Sequence, residues 1–168
     1  MDISKLDRTR MALAIIGLVA LVDMFLEWGH VSVNGESFTG ISGATHNAWG
    51  MGIGAWFPML LLLAAGVLAA LPAFGVEISL PGGLALLSAL AGALSILVIL
   101  LRWVTYPSQS SLGFTASWDA SYGLYIGLVL AVAATAFGWL GYTAEGGNFK
   151  TIGESFKSKQ ITQPPTEG

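Results

Sequence analysis

Residues 83–104 read GLALLSALAGALSILVILLRWV, an apolar run whose one charge, Arg102, lies close to its end. An α-helix rises about 1.5 Å per residue, and about 20 mostly apolar residues cross the hydrocarbon of a bilayer. The run meets that length. Working outward, Met11–Trp28, Ala48–Leu71 and Ala120–Tyr142 are stretches of the same kind. The chain is 54% hydrophobic and 10% charged, against about 25% charged residues in an average soluble domain. A water-facing surface cannot be built from that composition. The prediction is an all-α membrane protein, a four-transmembrane-helix antiparallel bundle over residues 1–142. Residues 143–168, which contain Gln163-Pro164-Pro165, are expected to form a polar, partly disordered cytoplasmic tail.

Six of the seven Lys and Arg residues lie outside these stretches: Lys5, Arg8 and Arg10 before the first, Lys150, Lys157 and Lys159 after the last. Cytoplasmic flanks are enriched in such residues. An even number of crossings puts both termini on one side, so a multi-pass protein of the plasma membrane with N- and C-termini in the cytoplasm is expected. Residues 29–47 and 105–119 are then external, and Pro72–Gly82 is an internal turn. Asp23 and Glu27 interrupt the end of the first stretch, which is read as a retained helix rather than a cleaved leader.

The first external loop carries Val31-Ser32-Val33 and Ser37-Phe38-Thr39 around Asn34-Gly35. Asn-Gly favours the type I′ turn, whose two central residues both need positive φ. A small extracellular β-hairpin is expected there, with Gly113–Ser117 as an added strand.

Ionisable groups within membrane helices cost about 2.5–3.5 kcal/mol each on insertion scales, so they usually pair or face a cavity. Asp23 and Glu27, spaced i and i+4, are predicted to share one face of the first helix. Arg102 ends the third helix and Asp119 begins the fourth, at the same external boundary. One cation and three carboxylates therefore suggest a clamp through Arg102 to Glu27, Asp23 or Asp119, while a snorkelling Arg102 is the plainer reading. Asp23, the deepest acid, is the best candidate for a proton or cation path. Trp28, Trp49, Trp103 and Trp118 fall near that boundary as an aromatic belt or a site for lipid or a partner. Gly50/Gly54 and Gly123/Gly127 are Gly-x-x-x-Gly pairs that let helices approach closely, within the bundle or between copies.

Absence of cysteine excludes thiolate chemistry and disulfides. A net charge of −3 without a basic run argues against nucleic acid. His30, His46 and Glu36 share a loop, but their spacing is no ligand signature, and no metal or cofactor is expected.

The chain resembles a group of small four-helix membrane proteins of actinobacterial type. The resemblance rests on Leu26-Glu27-Trp28, on Gly40-Ile41-Ser42-Gly43 leading to Ala48-Trp49-Gly50, and on Leu101-Arg102 followed by Tyr106-Pro107. Many such proteins carry Pro where Glu27 stands. The resemblance implies a membrane location and no particular activity. The layout is similar to the claudin-like tetraspan arrangement by architecture only, since paired loop cysteines are missing. The functional expectation is a non-enzymatic accessory or scaffold subunit. It would bind the bilayer and either a membrane protein partner or further copies of itself. An oligomeric ion channel or holin-like pore former, and a lipid-acting membrane enzyme using Asp23, Glu27 or His30 as base, are the alternatives.

Overall fold

The computed structural model describes residues 6–37, 43–76, 83–111 and 114–147. Four helices are present: α1 (Arg8–Asp23), α2 (Ile53–Ala70), α3 (Gly83–Val104) and α4 (Tyr122–Ala144). A 3-10 turn, Leu71–Phe74, extends α2. With that turn, α2 is long and apolar enough to cross a membrane, as are α3 and α4. α1 has 16 residues, about 24 Å of helix. Asp7 starts it by accepting the Arg10 amide on its carboxylate at 2.7 Å, a side-chain N-cap.

The helices pack in a ring, α1 on α2, α2 on α3, α3 on α4 and α4 back on α1. Close approaches fix an antiparallel order. Gly17 of α1 meets Gly66 of α2, where a Cβ on Gly66 would lie 2.7 Å from the Gly17 Cα. Gly138 of α4 lies against Ala89 and Ala85 of α3, and Thr9 near the start of α1 reaches Gly141 near the end of α4. Small residues at these crossings let backbones touch, which suits helices that associate by packing rather than by expelling water. Leu13, Ile16, Met59, Leu62, Ile99 and Leu124 fill the centre. Of the hydroxyls inside the helices, Ser95 joins two of them, donating to the Pro58 carbonyl at 3.1 Å. Ser88 and Thr135 bond back into their own helices.

At one end of the ring the connections form a single sheet of β1 (Glu27–Val33), β2 (Glu36–Ser37), β3 (Thr45–Asn47), β4 (Ser108–Ser111) and β5 (Phe114–Ala120). Its order is β2-β1-β5-β4, with β3 also on β1, and every pairing is antiparallel. Asn34 and Gly35 have φ of 53° and 84° and join Val33 to Glu36, the expected turn. The sheet is larger than the expected hairpin because β5 pairs along β1 from Gly29 to Val33. It welds the two connections together.

Three expectations about helix limits are corrected. The first helix stops at Asp23 instead of Trp28, because Glu27–Val33 finds a five-residue partner in β5. Glu27 therefore does not share a helix face with Asp23. Ala48–Met51 is a turn before α2, so Gly50 and Gly54 are not on one helix. Asp119 lies in β5 rather than at a helix start. The expected limits of the third helix are met. Phe38 and Thr39, residues 40–42, residues 77–82, Gly113, Lys5 and the tail from residue 148 lie outside the described residues.

Candidate functional site

The sheet end of the bundle concentrates the polar and aromatic chemistry. Its centre is Trp28. Register along β1 and β3 shifts between Glu27 and Gly29, and such a bulge re-aims the extra side chain. Trp28 is thereby driven into the bundle and is fully buried. Gly123 and Gly127 of α4 form its seat: a Cβ on either would lie within 2.9 Å of the indole. The indole N–H donates to the Asp23 carbonyl at 3.0 Å, which also takes the Leu26 amide. That caps the C-terminus of α1. The Trp28 carbonyl in turn accepts the Ser121 amide and the Tyr106 hydroxyl.

Arg102 enters the same network without an acid. Its Nε–H donates to the Met51 carbonyl at 3.1 Å, and its guanidinium lies 4.8 Å above the Tyr106 ring. Among the described residues no carboxylate forms an ion pair with it. Two of the three acids, Glu27 and Asp119, lie in the sheet and are engaged there. Glu27 accepts from Ser121 Oγ at 2.7 Å and lies 3.6 Å from His30 Nδ1. Asp119 accepts from Ser32 Oγ. Burial pushes the Tyr106 hydroxyl up to about 12, against the opposing pull of the Arg102 charge, so it stays a donor to Trp28. A carbonyl and an aromatic face thus hold the guanidinium where a carboxylate was expected.

Asp23 is fully buried, and among the described residues neither carboxyl oxygen has a hydrogen-bond partner. Its Oδ2 lies beside Gly127. Of the four tryptophans expected as a belt, Trp28 is a core residue. Trp49 stacks on Trp56 at 5.7 Å and stays half exposed, as does Trp103, edge-on to Tyr125 at 5.6 Å. Trp118 stacks on His46 at 4.9 Å. Gly123 and Gly127 work within the bundle, under Trp28. Gly50 packs against His46 and Gly54 against the Arg102 stem.

The two sheet faces differ. Directly opposed residues of antiparallel strands share a face. Ser37, Ser32, Ser117 and Ser108 form one row across four strands, and Thr45, His30 and Asp119 form the next. Gly29, Val31, His46 and Trp118 belong to the other face. His30 and His46 therefore sit on opposite faces and do not converge on a metal. An open recess of about 440 Å³ lies between Phe25, Glu27, Thr45, His46, Asn47 and Tyr122. Sequence reading missed Tyr106, Ser121 and Met51 as partners. The signal for Tyr106 was its place one turn beyond Arg102.

No protein-family model, curated protein or solved structure matches the chain. Fold and site carry the functional reading.

Proposed function

We propose that the chain crosses the plasma membrane four times, with both termini cytoplasmic. It acts without catalysis, as an accessory or scaffold subunit that presents its external sheet to a membrane partner. The observation that carries this reading is the single sheet made from both external connections and tied to the helix ends by Trp28, Tyr106 and Arg102. Among the described residues β4 is an end strand of that sheet, an edge of the kind that can accept another strand.

A fourth span is supported by the exposed face of α1. Ile15, Leu18, Val19, Val22 and, just beyond, Phe25 recur at helical spacing and are all exposed, as Leu90, Leu94, Leu97 and Leu101 are on α3. Bare apolar stripes of that length suit lipid. The filled centre of the bundle supports a single chain without a pore of its own, which ranks the channel reading second. Purification of the full chain in mild detergent tests the proposal. A larger partner in stoichiometric amount, lost on Ser110→Pro in β4, is the expected result. A homo-oligomer that passes ions in planar bilayers overturns it.

A further inference from the structure

The recess beside Glu27 lies apart from the Trp28, Tyr106 and Arg102 side chains that tie the sheet to the helix ends. It opens where Phe25 follows α1, Tyr122 begins α4, and β3 runs along β1. On the four-span reading this is the depth of the outer headgroups. One oxygen of Glu27 is engaged by Ser121. The other, Oε2, has no partner among the described residues. Two aromatic residues line the recess with Glu27, Phe25 at 64% and Tyr122 at 53% exposure. Rings of that size left in the open beside an acid offer π-faces to a cation.

The remaining lining sorts the ligand further. Asn47 Oδ1 is occupied by the Gly50 amide, which leaves its NH2 group as donor. Thr45 adds a hydroxyl. His46 also lines the recess, with its ring stacked on Trp118 and Nδ1 against the Thr45 carbonyl. No Lys or Arg lines the recess. One carboxylate, two rings and uncharged donors match an ammonium group attached to a hydrogen-bond acceptor. They give a net anionic headgroup no countercharge.

We propose that this recess binds an alkylammonium group, with the ammonium beside Glu27 Oε2 and the ring faces of Phe25 and Tyr122. An aminophospholipid headgroup is one source of that chemistry, its phosphate ester oxygens meeting Asn47 and Thr45. A soluble amine is the other. The lipid arm rests on the membrane placement proposed above, whereas the soluble arm does not.

The test uses the full chain in detergent, with phosphatidylethanolamine and phosphatidylglycerol added in equal amounts and retained lipid read by native mass spectrometry. Wild-type protein is expected to keep phosphatidylethanolamine over phosphatidylglycerol by about tenfold, the worth of one charge-assisted contact. Glu27→Gln keeps an acceptor for Ser121 but removes the charge, and the preference should fall to near unity. Tyr122→Leu, an exposed change that spares the fold, should reduce it as well. In the second arm, ethanolamine and tetramethylammonium compete for the site. Displacement of the lipid by either identifies the group as ammonium, and binding of soluble amine without lipid preference assigns the site to a soluble ligand. Equal retention of the two lipids with no soluble amine bound, or a preference that survives both substitutions, overturns the proposal.

Discussion

The middle of the bundle and its sheet end are held together by different physics. In the middle, Gly17 against Gly66 and Gly138 against Ala89 bring helix backbones into contact, and the Ser95 hydroxyl adds a polar link to the Pro58 carbonyl. At the sheet end, a buried indole, a phenol and a guanidinium are each satisfied by a main-chain carbonyl: those of Asp23, Trp28 and Met51. Small residues suffice where lipid surrounds uniform helices. Where α1 ends, β1 bulges and the chain turns into α2, the carbonyls of Asp23, Trp28 and Met51 take donors from three large side chains.

This contrast is sharpened first at Trp28. Trp28→Ala removes the indole from its glycine seat and one of the two donors on the Asp23 carbonyl, and about 3–5 kcal/mol of stability should be lost. Thermal unfolding in detergent measures it, and a loss below that of any mid-bundle change would break the contrast. Next comes Gly66→Ala. Its methyl would sit 2.7 Å from the Gly17 Cα, and overpacking of this kind costs about 1–3 kcal/mol. The expected sign is a lower midpoint with the sheet intact, read by disulfide formation between Val33→Cys and Ala116→Cys.

Asp23 pulls the other way. Its carboxyl is buried without a hydrogen-bond partner among the described residues, and a buried polar group left unpaired costs about 1–3 kcal/mol. Asp23→Leu, of similar length, should leave stability unchanged or raise it by up to that amount. A large loss would mean that the carboxyl has an unrecognised partner.

The smallest effects concern Arg102. A double-mutant cycle with Tyr106 should give a coupling of about 0.5–1 kcal/mol. A cycle with Asp119 should fall within the about 0.3–0.5 kcal/mol expected of independent sites. Reversal of those two couplings would restore the ion-pair clamp.

The same contrast explains what could be read from sequence. The span of α3 and the Asn34-Gly35 turn were legible because each depends on local chemistry: a long apolar run and a pair of residues that accept positive φ. The end of α1 was not. Met11–Trp28 is apolar apart from Asp23 and Glu27, and the pairing of Gly29–Val33 with the distant strand Ala116–Ala120 accompanies the end of the helix at Asp23. Once Glu27 and Asp119 lie in strands, their hydrogen bonds go to Ser121 and Ser32, and Arg102 turns to a carbonyl and a ring. Counting charges at matching depth found the right boundary but could not foresee that serines would take the acids. Gly17 and Gly66 escaped notice for a related reason, since neither belongs to a Gly-x-x-x-Gly pair and their contact exists only between helices.

The central claim is that α1, short as it is, crosses the membrane and leaves the sheet outside. The chain has no cysteine, so single cysteines can be placed at Ser4 and Ser37 and probed with a membrane-impermeant maleimide. In intact cells Ser37→Cys should react and Ser4→Cys should react only after lysis. Labelling of both positions from the same side would contradict the fourfold crossing and, with it, the account of the sheet as an external platform.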